Sequence, residues 1–396
     1  MTKIGYVVHV RTPGSVGGET RSYQVAQALA ASGMHVHLYG KIDPAFQWAQ
    51  HIYPHQLSWP MPKAAAQLVY DLTRYEINVA IERYHFPIFN AAYFAQRLRK
   101  KPIIFEVHGF PIDEFRLMKQ SNSTDSSRVV RALMKAPTIL WEKLQLKLFQ
   151  HGDHFIVTST GTQRILQKLG VPAERISVVY NCVDPVLFDP VERDRAILRR
   201  SFGLPEQGKI VLYAGSLFHE ELMTIIAAAA SVVKRDPQAH FLFVGQGSRT
   251  DLTLAAQQQG LSVEHISLLS PVPHQRMPDL LAACDVVLAA YALNSERFRH
   301  SFHYSPLKLM EALAMAKPVV TVDAAELREL FGHVSNVQFA QSGCSKSWAA
   351  QIEAALATIG DAALAQGRMF VLDGYRWQDA ALRYSQIVQQ VEENRR

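Results

Sequence analysis

The sequence predicts an α/β protein made of two doubly wound parallel sheets. Short apolar runs bounded by turn residues recur along the chain, and helix-period segments lie between them. A turn-rich break then divides this alternation into two similar series. At 396 residues the chain has room for two or three domains, each large enough to bury a core.

The first series opens at residues 4–10, a near-continuous apolar run that suits a buried parallel strand. Gly14, Gly17 and Gly18 then supply a flexible loop. A helix is expected over 19–32, with Val25, Ala26, Leu29 and Ala30 on its apolar side. Gly33 ends it, and 34–39 is the next strand. Strands are further expected at 79–81, 103–107 and 155–158, with helices such as 88–98 between them. The alternation breaks over 181–200, where Asp184-Pro185 and Asp189-Pro190 form turns and a charged stretch follows, so this segment reads as a linker. The second series has strands at 210–214, 241–244, 266–268, 286–289 and 319–322. Its helices include 224–234, 278–283 and 308–315. Residues 377–393 read as an amphipathic helix with Ala381, Tyr384, Ile387 and Val391 on one side. The expected division is 1–190, 191–372 and a C-terminal helical segment, 373–396, that packs back on the first domain.

The composition is that of an ordinary globular protein, 48% hydrophobic and 19% charged. The net charge of +6 favours anionic partners such as nucleotides or an acidic membrane face. It is modest for this length, and no nucleic-acid motif is present, so a nucleic-acid partner is not expected. The three cysteines are far apart and form no metal or CxxC spacing, as for reduced thiols in a cytoplasm. The chain opens as a strand rather than a signal peptide, and no apolar run approaches the roughly 20 residues that span a bilayer. A cytoplasmic location follows, with any contact at the inner face of the membrane peripheral. One segment suits such contact. Arg116, Lys119, Arg128, Arg131, Lys135, Lys143 and Lys147 surround the polar stretch 120–128 and interleave with Leu133, Ile139, Leu140, Trp141 and Leu144. A solvated helix face beside a surface loop has the same pattern.

The most informative stretch runs from His303 to Val320. A polar turn enters a short helix, and Lys317-Pro318 leads out into an apolar strand. Backbone N–H groups at a helix start lack intrahelical acceptors and receive anions. Ser305 and the Leu307 amide stand at that start, and Pro306 can open the first turn. Lys308 adds a cation. Glu311, three residues on, shares roughly its helical face. A carboxylate there matches the two hydroxyls of a ribose. One turn of helix would thus hold both ends of a nucleoside diphosphate.

Several stretches, taken in order, carry a family resemblance. They are Gly17-Gly18-Glu19, Glu106-Val107-His108-Gly109, and Val178-Val179-Tyr180-Asn181-Cys182-Val183-Asp184 with Phe188. Tyr213-Ala214-Gly215-Ser216-Leu217, Phe241-Leu242-Phe243-Val244-Gly245, Met277 to Asp285, and Ser305-Pro306-Leu307-Lys308 with Pro318-Val319-Val320 follow. Over nearly its whole length the chain resembles a family 4 glycosyltransferase, a retaining enzyme of the GT-B architecture. The resemblance implies a UDP- or GDP-type sugar donor held between two Rossmann-like domains, and a glycan or lipid-linked acceptor on the first. It implies no cofactor and no metal, and the sequence indeed has no Asp-x-Asp diphosphate–metal motif. By the same resemblance Glu311 binds ribose and Lys308 the phosphates. Gly17, Gly18, Gly215, Ser216, Ser305 and Leu307 face the diphosphate, Gly245 and Val272 pass near the base, and His108 stands near the transferred sugar. Asn181 reads as a turn residue only.

Three positions depart from the family. Ser216 and, by spacing, Glu221 replace basic residues, and His303 replaces the first of a pair of glutamates. A carboxylate facing a diphosphate repels it by kcal/mol-scale amounts. Either Lys308, Arg297, Arg299 and His303 take over this work, or the donor site is weakened. Two other readings follow: an inactive nucleotide-sugar-binding subunit that supports a partner enzyme, and a sugar-nucleotide epimerase of the same architecture.

Overall fold

A computed structural model describes residues 2–12, 17–57, 61–85, 90–110, 137–190, 193–217, 220–295, 298, 300–357 and 360–395. Gly14, Arg116, Lys119, the 120–128 stretch, Arg128, Arg131, Leu133, Lys135, Arg297 and Arg299 lie outside them. The chain forms two units. The first comprises Met1–Asn181, Ser295–Ser305 and Trp377–Arg396, and the second Cys182–Asn294 and Pro306–Arg376.

The first unit is built on a seven-stranded sheet. Its strands are β1 (Lys3–Thr12), β2 (His35–Ile42), β3 (Ile52–Gln56), β4 (Val79–Arg83), β5 (Ile103–Val107), β6 (His154–Val157) and β7 (Ile176–Val178). Their order is β3-β2-β1-β4-β5-β6-β7, every pair parallel. The chain winds outward from β1 one way and from β4 the other, so the strand order reverses between these two. Ligands of such sheets bind beyond the carboxyl ends of the strands at that reversal. The central strands are buried on both faces, with Ile4, Tyr6, Val7 and Val8 fully enclosed, which is why the sequence there is continuously apolar. Helices α1 (Gly17–Ala31), α2 (Met61–Arg74), α3 (Ala91–Arg99), α4 (Thr138–His151) and α5 (Thr160–Lys168) connect the strands.

Edge strand β3 and helix α2 escape the sequence reading. Pro54 interrupts the apolar pattern of β3, as edge strands tolerate. On α4, Trp141 is buried with Gln145, Leu148 and Phe149, so it is not part of any membrane-facing surface. The exposed face of that helix carries Ile139, Leu140, Lys143 and Lys147.

The second unit starts inside the segment read as a linker. Its charged end folds as α6 (Arg195–Ser201), with the Asp194 side chain accepting from the Ile197 N–H. The physical reason is Arg199: it is buried, and its guanidinium donates to the carbonyls of Ala283 and Gly208 and to Asp285 at 3.0–3.1 Å. The sheet has strands β8 (Lys209–Ala214), β9 (Ala239–Val244), β10 (Ile266–Leu269), β11 (Val286–Ala289), β12 (Val319–Val322) and β13 (Val337–Ala340) in the order β10-β9-β8-β11-β12-β13. All pairs are again parallel, and the order reverses between β8 and β11. Helices α7 (Glu220–Arg235), α8 (Arg249–Gln258), α9 (Met277–Ala283), α10 (Leu307–Ala314), α11 (Ala325–Phe331), α12 (Ser345–Leu356) and α13 (Asp361–Leu372) complete it. The last helix, α14 (Trp377–Glu393), belongs to the first unit, where it packs on α1. Its buried side is Trp377, Ala381, Tyr384, Ile387 and Val391, the face its apolar spacing marks.

Candidate functional site

The carboxyl ends of the second sheet gather most of the expected donor-site residues. Gly215 and Ser216 follow β8, Gly245 follows β9, Val272 lies in the loop after β10, and Tyr291 follows β11. Helix α10 begins at Leu307 after Pro306, which provides no side-chain cap. Its first N–H groups therefore have no partner within the helix.

Lys308 stands over the reversal point. Its Nζ lies 5.2 Å from the ring centroids of both Tyr213 and Tyr291, which close β8 and follow β11. Burial drives the ammonium down, Glu311 pulls it back up, and the result is about 8. The lysine remains mostly cationic at neutral pH and is poorly hydrated, so an arriving anion meets it at little desolvation cost.

Glycine is needed here for space. A Cβ on Gly245 would sit 1.7 Å from the Gly215 carbonyl oxygen, and one on Gly215 would come 3.0 Å from Lys308 Nζ. The Gly215 N–H donates to the Val244 carbonyl at 2.9 Å, so the two loops lie edge to edge. Glu311 is 6% exposed and receives His274 Nε2 at 2.7 Å. The sequence reading missed His274. Its one signal was its place two residues beyond Val272 in a strand-end loop.

The departures resolve unevenly. Glu221 does not face the donor position. It is buried on α7 and accepts from Trp348 Nε1 at 2.7 Å, Ser342 Oγ at 2.7 Å and the Gly343 N–H at 3.0 Å. Three donors engage the carboxylate, which is turned to α12 and the residues before it rather than to Lys308. Ser216 is exposed, and its carbonyl accepts from Tyr213 Oη at 2.8 Å. His303 lies in the first unit, 2% exposed, its carbonyl taking Ser159 Oγ at 2.9 Å and Thr162 Oγ1 at 3.0 Å.

Ser305 also lies in the first unit. Its Oγ accepts the Asn181 N–H at 2.7 Å, and its carbonyl takes Asn181 Nδ2 at 2.5 Å. Asn181 is therefore more than a turn residue, because it fixes the segment that enters α10.

At the carboxyl edge of the first sheet, Gly17 and Gly18 open α1, and His108 follows β5. His108 Nε2 is 2.9 Å from Glu106 Oε1. Burial pushes the imidazole down to about 4, Arg83 and Arg21 add to this, and Glu106 only partly offsets them. It is neutral at pH 7. Glu106 is fully buried and accepts Arg21 Nε at 2.9 Å, Tyr6 Oη at 2.6 Å and Tyr384 Oη at 2.5 Å. Burial alone would push its carboxyl up; the Arg21 guanidinium and the hydrogen bonds that the carboxylate accepts outweigh that and hold it well below the usual range. Among the described residues no group of three or more His, Cys, Asp or Glu side chains is arranged to hold a metal ion.

Comparison with known proteins bears on the family and the fold. Residues 16–187 match the family model described as Glycosyltransferase Family 4, and residues 208–358 match Glycosyl transferases group 1. TuaC of Bacillus subtilis (strain 168), named as a glycosyltransferase of teichuronic acid biosynthesis, is 28% identical over 42% of this chain and 40% of its own. The 2-deoxystreptamine glucosyltransferase of Streptomyces kanamyceticus is 29% identical over 31% of this chain and 32% of its own. The chain thus spans less than half the length of these relatives. The structure of Anabaena Alr3699/HepE in complex with UDP and glucose superposes with a TM-score of 0.71 at 19% identity, covering 100% of this chain and 99% of that one, which shows a shared fold. With two parallel Rossmann-like sheets, and the two models together spanning both units, the chain belongs to glycosyltransferase family 4 and has the GT-B fold.

Proposed function

We propose that this chain is a retaining glycosyltransferase that moves a sugar from a UDP-type donor to a hydroxyl of a glycan or lipid-linked acceptor. The observation that carries the reading is the grouping of Lys308, Glu311 and the close-packed Gly215 and Gly245 turns at the strand-order reversal of the second sheet. Lys308 and the free amides of α10 meet the diphosphate. Glu311, steadied by His274, accepts the ribose hydroxyls, and Val272 borders the base. Gly17 and Gly18 offer the opening amides of α1 to the phosphates, and neutral His108 accepts a hydrogen bond from a sugar hydroxyl.

As the glycosidic bond to the diphosphate breaks, negative charge grows on the leaving phosphate and positive charge on the sugar. Lys308 and the amides stabilise the first. The acceptor hydroxyl attacks from the leaving-group side, and a phosphate oxygen takes its proton, so configuration is retained. Positioning and electrostatics account for the catalysis, with no metal. The uridine preference rests on the UDP held by the solved relative HepE.

The test is incubation of the purified protein with UDP-sugars and a panel of glycan and polyprenyl-phosphate acceptors. UDP release coupled to an acceptor-dependent product, with the donor's anomeric configuration by NMR and full rate in EDTA, is expected. UDP release alone, or a donor epimer without acceptor product, would favour the epimerase reading. Binding without turnover would favour the inactive subunit, the reading that the Ser216 and Glu221 substitutions suggested; the hydrogen bonds that hold Glu221 to Trp348, Ser342 and Gly343 support the active reading. Glu311→Ala is expected to weaken UDP binding by at least about tenfold, as loss of charge-assisted bonds requires.

Peripheral membrane contact belongs to the same reading. Ile139, Leu140, Lys143 and Lys147 share the exposed face of α4, a mix that suits an anionic bilayer surface. No helix among the described residues is long and apolar enough to cross a membrane. Co-sedimentation with phosphatidylglycerol vesicles should fall when Ile139 and Leu140 are both replaced by serine; unchanged binding would reject the contact.

A further inference from the structure

We propose that Tyr384, on the C-terminal helix α14, and Glu106 are positioning residues for His108, setting which imidazole nitrogen bears the proton and where the ring points. This rests on the reading of His108 as a sugar-facing acceptor.

The geometry is a relay within the first unit. Tyr384 Oη accepts from Arg21 Nη2 at 3.1 Å and donates to Glu106 Oε1 at 2.5 Å. The same Oε1 receives Arg21 Nε and stands 2.9 Å from His108 Nε2, while Oε2 receives Tyr6 Oη. Arg21 is itself immobilised by the carbonyls of Val179 and Tyr180 and by Asn181 Oδ1 at 2.9–3.2 Å. Two tyrosines and an arginine hold one enclosed carboxylate ionised. An ionised carboxylate beside Nε2 demands that Nε2 carry the hydrogen, leaving the Nδ1 lone pair for a substrate hydroxyl. The approach of Nε2 to Glu106 is close without being aligned as a hydrogen bond, a looseness common where the ligand completes the geometry.

The charged and titratable groups around the ring are Glu106, Arg21 and Arg83, with Tyr6 and Tyr384 behind Glu106. His303 lies beside Gly109, the next residue, 3.4 Å from where a Cβ on that glycine would stand. Loss of the Tyr384 hydroxyl destabilises the ionised carboxylate, so the Glu106–His108 pair takes up a proton at higher pH.

The experiment uses the full chain. Tyr384→Phe should lower kcat about tenfold with KM little changed, the size expected for one hydrogen bond to a charged group. It should also move the acid limb of the kcat/KM profile upward. In a His108→Asn background the same substitution should have no further effect. An additive loss, or an unmoved acid limb, would overturn the positioning role. Full activity of His108→Asn alone would instead overturn the reading of His108 itself. Nitrogen-15 NMR of the unmodified protein gives an independent check that needs no variant to fold. Protonation of His108 at Nε2 is expected, and protonation at Nδ1 would refute the proposal.

Discussion

Lys308 titrates within the experimental range, and that gives the donor site a pH signature. With its ammonium near 8 in the empty site, a dianionic diphosphate binds with full attraction below that pH and progressively less above it. The Kd for UDP, measured from pH 6.5 to 9.5, should rise through pH 8. Lys308→Arg should flatten the curve, because the guanidinium does not lose its proton there. Gly245 and Glu221 also bear on stability. Gly245→Ala drives a methyl into the Gly215 carbonyl and should cost about 1–3 kcal/mol in urea denaturation. Glu221→Ala strands the Trp348, Ser342 and Gly343 donors and should cost about 3 kcal/mol. The sequence placed Glu221 just before an expected helix, 224–234, which in the structure begins at Glu220. It could not show that the side chain turns towards α12, because that partner lies more than a hundred residues away.

Elements were legible where the pattern was local. β5, β11, β12 and α14 fall on their expected residues, because an uninterrupted apolar run or a clean helical stripe specifies them. β3, α6 and β13 were not. β3 carries a proline, α6 presents a buried arginine among charges, and β13 alternates Gln338 with apolar residues. Within the proposed site, Lys308 and Glu311 were readable as neighbours because one helical turn joins them. His274 and the Arg21–Glu106–Tyr384 relay were not, since tertiary contact alone makes them partners. Arg21 did leave a trace. It stands one turn before Val25 on the apolar side of α1, where an unpaired charge would not be tolerated. At the start of α5, Ser159 Oγ accepts from the Thr162 N–H at 3.1 Å and donates to the His303 carbonyl. Ser159→Ala should therefore lower stability by about 1–2 kcal/mol, read from the denaturation midpoint.

Acid should unfold the whole molecule through its histidines. Burial lowers His37, His108 and His154 to about 4 and His85 to about 3, against an ordinary value of 6.5. Between those values the unfolded chain binds more protons than the folded one. Stability is thus complete above pH 6.5 and is lost as pH falls towards 4. The melting temperature, followed from pH 7.5 to 4.5, should fall steadily, with the slope lessened in His37→Gln. Two of these rings, His37 and His154, make side-chain contacts within the first sheet, to His55 and Ser177. The first unit should therefore be the one that acid opens first.

The first unit draws on three separate stretches, and its closing piece is α14. During synthesis Arg21 and Glu106 leave the ribosome early, yet Tyr384 emerges only after the entire second unit. The amino-terminal half must wait, incompletely bolted, until the second unit has been made. An expression fragment ending at residue 190 would leave the enclosed arginine–carboxylate pair without its lid and should accumulate as insoluble chain.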